Sequence, residues 1–243
     1  MSTTIDIMPV KTTEITFGQV IHLSEKHINS FLKSVGIEQN IQLTVNIHDN
    51  NEKYKFDIKL SDKFEWKDNE YAWFTIKGIA GGTDAHCKKI YDPQIDPKNP
   101  WWQLDELIEN NKEIRNIEDK LEKVKKLDRM WYFRRSAGQP GIINISYGLI
   151  SASVAELTSG LLSSTDGAWN YEEFPVESDD FLSFYFKPEK AKSKDYAEWA
   201  KSCIDGIEED LLRPTKYRNN GDDTVETEDN NRNLWSILKS FFS

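Results

Sequence analysis

The chain is poor in the residues that bring ready-made chemistry. Its two cysteines, Cys87 and Cys203, are too few for a disulfide framework, so both are expected as reduced, partly buried thiols. Its four histidines, His22, His27, His48 and His86, stand in no H-E-x-x-H pair, and there is no C-x-x-C and no calcium loop. The glycines form neither a phosphate-binding loop nor a dinucleotide-binding turn, and no nucleophile elbow is present. No metal or other cofactor is therefore expected. No apolar run approaches the roughly 18 residues that a membrane span needs. The opening MSTTIDIMPVKTTEITFGQ has no basic segment followed by an apolar one, so no signal peptide is read and the expected location is the cytoplasm.

Positive charge is also scarce. Lys and Arg total 31 against 41 Asp and Glu, a formal net charge of -10. That disfavours nucleic acid and anionic membrane surfaces, which are held by Lys and Arg, and it favours a basic protein as partner. Aromatic residues are plentiful at 12%, with eight Trp, which excludes wholesale disorder.

The richest stretch runs from Tyr147 to Tyr171. Ile150, Val154 and Leu157 recur at helical spacing among small Ala and Ser residues, which predicts a buried helix close to a sheet. Gly160 is placed as its left-handed cap, Leu161 and Leu162 as a strand, and Asp166-Gly167 as a turn. Upstream, residues 1–15 read as a loose lead-in or edge strand. Phe17 to Val35 reads as a helix stopped by Gly36. Ile41 to Ile47 and Tyr54 to Leu60 alternate strictly around an Asp/Asn turn, which is a hairpin signal, and Tyr71 to Ile76 adds a third strand. Residues 83–101, with Pro93, Pro97 and Pro100, read as loop.

Downstream, Gln103 to Leu127 reads as a long helix, Met130 to Ser136 as a strand, and Ile142 to Ile145 as a short strand. Ser178 is expected to cap a helix over Asp179 to Phe186, and a further helix covers Lys194 to Leu212, with Cys203 on its buried face. The fold class is α+β, with mixed or antiparallel sheet layers and packed helices. Residues 130–165 carry a ferredoxin-like split βαβ element. The expected organisation is 1–100 as a helix plus antiparallel meander and 101–216 as an α/β layer. Residues 217–243 are then an acidic tether and an apolar C-terminal helix, unless the whole is one compact domain.

No catalytic motif emerges, so the surface carries the functional reading. Asp166, Trp169, Tyr171, Glu172, Glu173, Glu177, Asp179 and Asp180 interleave acids with aromatics, a composition suited to gripping a basic protein. The segment ASVAELTSG-LLSSTDGAW resembles a pattern in immunity proteins of bacterial polymorphic toxin systems, those of contact-dependent inhibition or type VI secretion. The resemblance covers about residues 130–190. It implies a cytoplasmic protein that is not an enzyme and that neutralises a cognate basic toxin, such as a nuclease, by occluding its active site. Two alternatives remain. One is an enzyme using Asp84, His86 and Cys87, although an adjacent His and Cys on a strand would point to opposite faces. The other is an adaptor that binds through the helix at 233–243.

Overall fold

The computed structural model describes residues 3–49, 54–56, 58–91, 94, 98, 101, 104, 114–164, 167–169 and 174–212. The strands are β1 (Thr3–Met8), β2 (Leu43–Asp49), β3 (Tyr54–Phe56), β4 (Glu70–Ile76), β5 (Thr83–Lys88), β6 (Met130–Arg135) and β7 (Leu161–Ser164). The helices are α1 (Phe17–Ser34), α2 (Ile117–Leu127), α3 (Gly141–Thr158), α4 (Ser178–Phe184), α5 (Lys194–Asp205) and α6 (Ile207–Leu212). All seven strands join one antiparallel sheet in the order β3-β2-β4-β5-β6-β1-β7. The class is α+β, and none of the described helices is long and apolar enough to cross a membrane.

The split βαβ element is present. β6, α3 and β7 form the unit, and β1 lies between the two strands, antiparallel to both. Thr3–Met8 is therefore an interior strand and not a lead-in. Residues Thr83–Lys88 are likewise a strand, pairing with β4 and β6, where a loop was expected. That pairing and the seat of β1 carry a single sheet across the boundary expected near residue 100. Of the helix expected over Gln103 to Leu127, Ile117–Leu127 is α2, whereas residues 114–116 are described but not helical and Asn116, at φ 59°, stands as its N-cap; residues 217–243 lie outside the described residues.

α1 starts at a capping box. The Thr16 hydroxyl accepts from the Gln19 amide at 3.3 Å, and the Gln19 side chain accepts from the Thr16 amide at 2.8 Å. Val20, Ile28 and Leu32 bury its inner stripe. α3 is different, being buried on nearly every side. It runs between α1 on one flank, β1 and β6 beneath, and α4 and α5 above. Its hydroxyls need internal partners at that depth, and Ser146, Ser151, Ser153 and Thr158 each donate to the carbonyl four residues back at 2.6–2.8 Å.

Several local expectations change. Residues Ile142–Ile145 are the first turn of α3, not a strand. Ser159 at φ 49° is the left-handed cap of α3. Gly160 is required for another reason: a Cβ there would lie 2.7 Å from the Met8 carbonyl oxygen. Ser178 does not cap α4; its hydroxyl donates to the Ala152 carbonyl at 2.9 Å and ties α4 to α3. The helix expected over Lys194 to Leu212 breaks at Gly206 into α5 and α6.

The sheet has two unlike faces. One carries Ile5, Ile47, Phe74, Ala85, Trp131 and Phe133 into the main core, with Val20 and Leu32 of α1 and Ile145 and Ile150 of α3 in the same cluster. On the other face, Met8, Met130 and Leu161 are covered at one end by Leu121 and Val124 of α2. The remainder of that second face is half-buried or exposed, and the chemistry gathers there.

Candidate functional site

The alternation that buries Ala72 and Phe74 turns Tyr71 and Trp73 outward, and the same parity turns out His48 on β2, Asp84 and His86 on β5, and Tyr132 and Arg134 on β6. Antiparallel register lines them up in two rungs. The first runs His48, Tyr71, His86, Tyr132 and Asp6, and the second runs Asn46, Trp73, Asp84, Arg134 and Thr4.

In the first rung the rings stack on one another. Centroids lie 5.4 Å apart for His48–Tyr71, 5.7 Å for Tyr71–His86 and 4.6 Å for His86–Tyr132, the last pair only 6° from parallel. These spacings follow the ~4.8 Å between neighbouring strands. Ring faces are spent on each other, so the rung offers solvent its ring edges and hydroxyl tips. A flat base cannot slide between such rings. At the far end the Lys88 ammonium sits 5.2 Å from the centre of the Tyr132 ring.

The second rung is ionic. The Asp84 side chain is only 7% exposed, and one of its oxygens, Oδ2, accepts from His86 Nε2 at 3.1 Å, from Arg134 Nε at 2.7 Å, and from Arg134 Nη2. Burial, the largest single influence, pushes the Asp84 carboxyl up, but the His86 and Arg134 hydrogen bonds and charges together hold it below the usual carboxylate range. Asp6 lacks such donors. Burial pushes its carboxyl up to about 6, with Lys88 only partly opposing. Between the rungs is a hollow of about 620 Å³, lined by His48, Tyr71, Trp73, Asp84, His86, Arg134 and Ser136. Gly82 lets the Trp73 indole and the Phe74 carbonyl lie close against it: a Cβ there would fall 2.8 Å from the indole and 2.4 Å from the carbonyl oxygen.

Comparison with protein-family models, with curated proteins and with solved structures finds no match. Function is therefore argued from this geometry.

The segment singled out by sequence fares unevenly. Asp166, Tyr171, Glu172 and Glu173 lie outside the described residues. Trp169 is 1% exposed, with its ring 5.5 Å from Tyr185 and 5.6 Å from Phe186, so it is core and not a surface anchor. Glu177 is exposed and accepts from Lys120 Nζ at 2.6 Å, joining α4 to α2. Asp179 and Asp180 are exposed in the first turn of α4, where the helix dipole favours acids.

The alternative trio also divides. Asp84 and His86 share the open face and a hydrogen bond, whereas Cys87 is buried on the opposite face. Its Sγ accepts from Arg129 Nη1 at 3.0 Å, and burial pushes the thiol up. No Cys–His dyad forms. Among the described residues, no three His, Cys, Asp or Glu side chains are grouped to hold a metal ion. His48, Tyr71, Tyr132 and Arg134 carry no functional signal of their own in the sequence. Their outward parity was readable, but their assembly into rungs depends on the strand order.

Proposed function

We propose that the protein is an immunity-type inhibitor: it binds a cognate basic toxin one-to-one and occludes its active site, with the ring-lined sheet face as the docking surface. The observation that carries this reading is the preformed, half-buried rung of stacked rings on interior strands. Rings held rigid by their neighbours lose little freedom on binding, and aromatic and Arg side chains supply most hot spots. The Asp84 charge on the face is already balanced inside it by Arg134. Interface centres are typically depleted of unpaired charge in this way. The net charge of -10 then acts at long range, steering a basic partner.

The Asp84–His86 hydrogen bond favours a second reading, since a carboxylate-oriented imidazole can act as a general base. However, Nε2 is turned to Asp84 and the ring is sandwiched between Tyr71 and Tyr132, which leaves a substrate little to reach. Co-expression with the cognate toxin separates the two readings. The inhibitor reading expects host survival and a salt-sensitive complex, with survival falling in step with affinity in both Tyr132→Arg and His86→Gln. Survival without a complex, or survival lost in His86→Gln with the complex intact, refutes it.

A further inference from the structure

The hollow beside Arg134 departs from the acidic character of the chain, because its charged lining, Asp84 and Arg134, is balanced. Among the described residues its only acidic wall is Asp84, which is 7% exposed and already occupied by His86 and Arg134. The Arg134 side chain is 47% exposed. Its Nε and Nη2 are fixed on Asp84, while Nη1 bonds to no described residue. The half-buried Trp73 and the exposed Ser136 line the same place. The stacked rung contributes as well. An aromatic ring is negative on its faces and positive at its edge, and here the faces are consumed by stacking. The wall shown to an incoming group therefore combines a clamped guanidinium with ring edges.

We infer that this hollow is an anion seat and that it takes a carboxylate side chain of the protein partner. The inference rests on the docking reading above and adds the polarity of its central contact. A net charge of -10 repels a polyanion such as nucleic acid, but not one acid on an otherwise basic protein. Arg134 suits the role because the buried Asp84 holds its fork in place before binding, so little side-chain freedom is lost when the carboxylate arrives. A basic partner steered by long-range charge is then held in register by one contact of inverted sign.

The test uses the full chain alone and does not depend on toxin neutralisation. Benzoate, benzylammonium and inorganic phosphate are titrated separately while the Trp73 indole N–H and Arg134 Nε–H signals are followed by NMR, the Trp73 signal being assigned by its loss in Trp73→Phe. Benzoate is expected to shift both signals saturably, and benzylammonium neither. Arg134→Gln, checked for folding by its melting curve, is expected to weaken benzoate at least about tenfold, and Arg134→Lys, which keeps the charge but loses the fork, to rescue it only in part. Saturable binding of benzylammonium, or no response to benzoate in the wild type, overturns the anion seat. Tighter binding of phosphate than of benzoate overturns the carboxylate assignment. With the toxin bound, the benzoate response is expected to vanish. If it persists while the toxin stays neutralised, the seat lies outside the docking surface and the inference fails although the inhibitor reading stands.

Discussion

Replacing Asp6 by Asn should stabilise the protein, and by an amount that depends on pH. Asp6 sits on interior strand β1, opposite Tyr132 in register, with Lys88 near enough to interact with it. Burial raises its carboxyl from 3.8 to about 6, with Lys88 pulling the other way. In the unfolded chain the group returns to its ordinary value. The gap of about two units, at 1.36 kcal/mol per unit, corresponds to about 3 kcal/mol. The direction follows from proton counting. Between the two values the folded chain holds a proton that the unfolded chain has lost. The favourable contribution of protonated Asp6 is thus complete below 3.8 and disappears as pH rises through about 6. Asn cannot ionise and keeps the neutral state throughout. Urea midpoints for both proteins from about pH 4 to about pH 8 should show stabilities that nearly coincide at the acid end. They should separate to about 3 kcal/mol, in favour of Asp6→Asn, at the alkaline end. A difference that stays constant with pH, or that favours Asp6 as pH rises, refutes the reasoning.

Two further outcomes follow from the packing. Trp169→Ala should cost about 3–5 kcal/mol in urea unfolding, as for any large core aromatic, and any loss of partner binding should track the fraction unfolded and not a change in the folded surface. Cys87, buried with its thiol pushed up, should resist iodoacetamide in the native protein and react once urea unfolds it, with mass spectrometry locating the adduct.

The strands most legible in the sequence were those with one large apolar face. β2 and β4 announce themselves through Leu43, Val45 and Ile47 and through Ala72, Phe74 and Ile76, each alternating with polar residues. β5 does not, because TDAHCK buries only the small Ala85, Cys87 and Thr83 on its inner side, and its strand character comes from the neighbours that bond it on both edges. β1 was hidden similarly: Ile5 and Ile7 alternate over too few residues, and nothing local says that it is drawn between strands more than a hundred residues away. The first turn of α3 read as a strand because a helix buried on all sides loses its amphipathic stripe, and Ile142, Ile143 and Ile145 then look like a β run. The split βαβ order was legible from its sequence of elements. The two rungs were not, since each takes one residue from each of five strands and the strand order is not written locally.

The position of β1 has a consequence for how the molecule is made. Thr3 bonds in register with Arg135, and Ile5 with Ser164. A chain that emerges from the ribosome N-terminus first must hold this short apolar ribbon in waiting until both of its future flanks exist. Until then the slot it fills is a gap with bare edges on either side, open to any extended segment of another molecule. Synthesis rate and chaperone supply should therefore weigh more on the yield of native protein than the final stability does, and a tag fused ahead of Thr3 should be felt more strongly than one placed elsewhere on the surface.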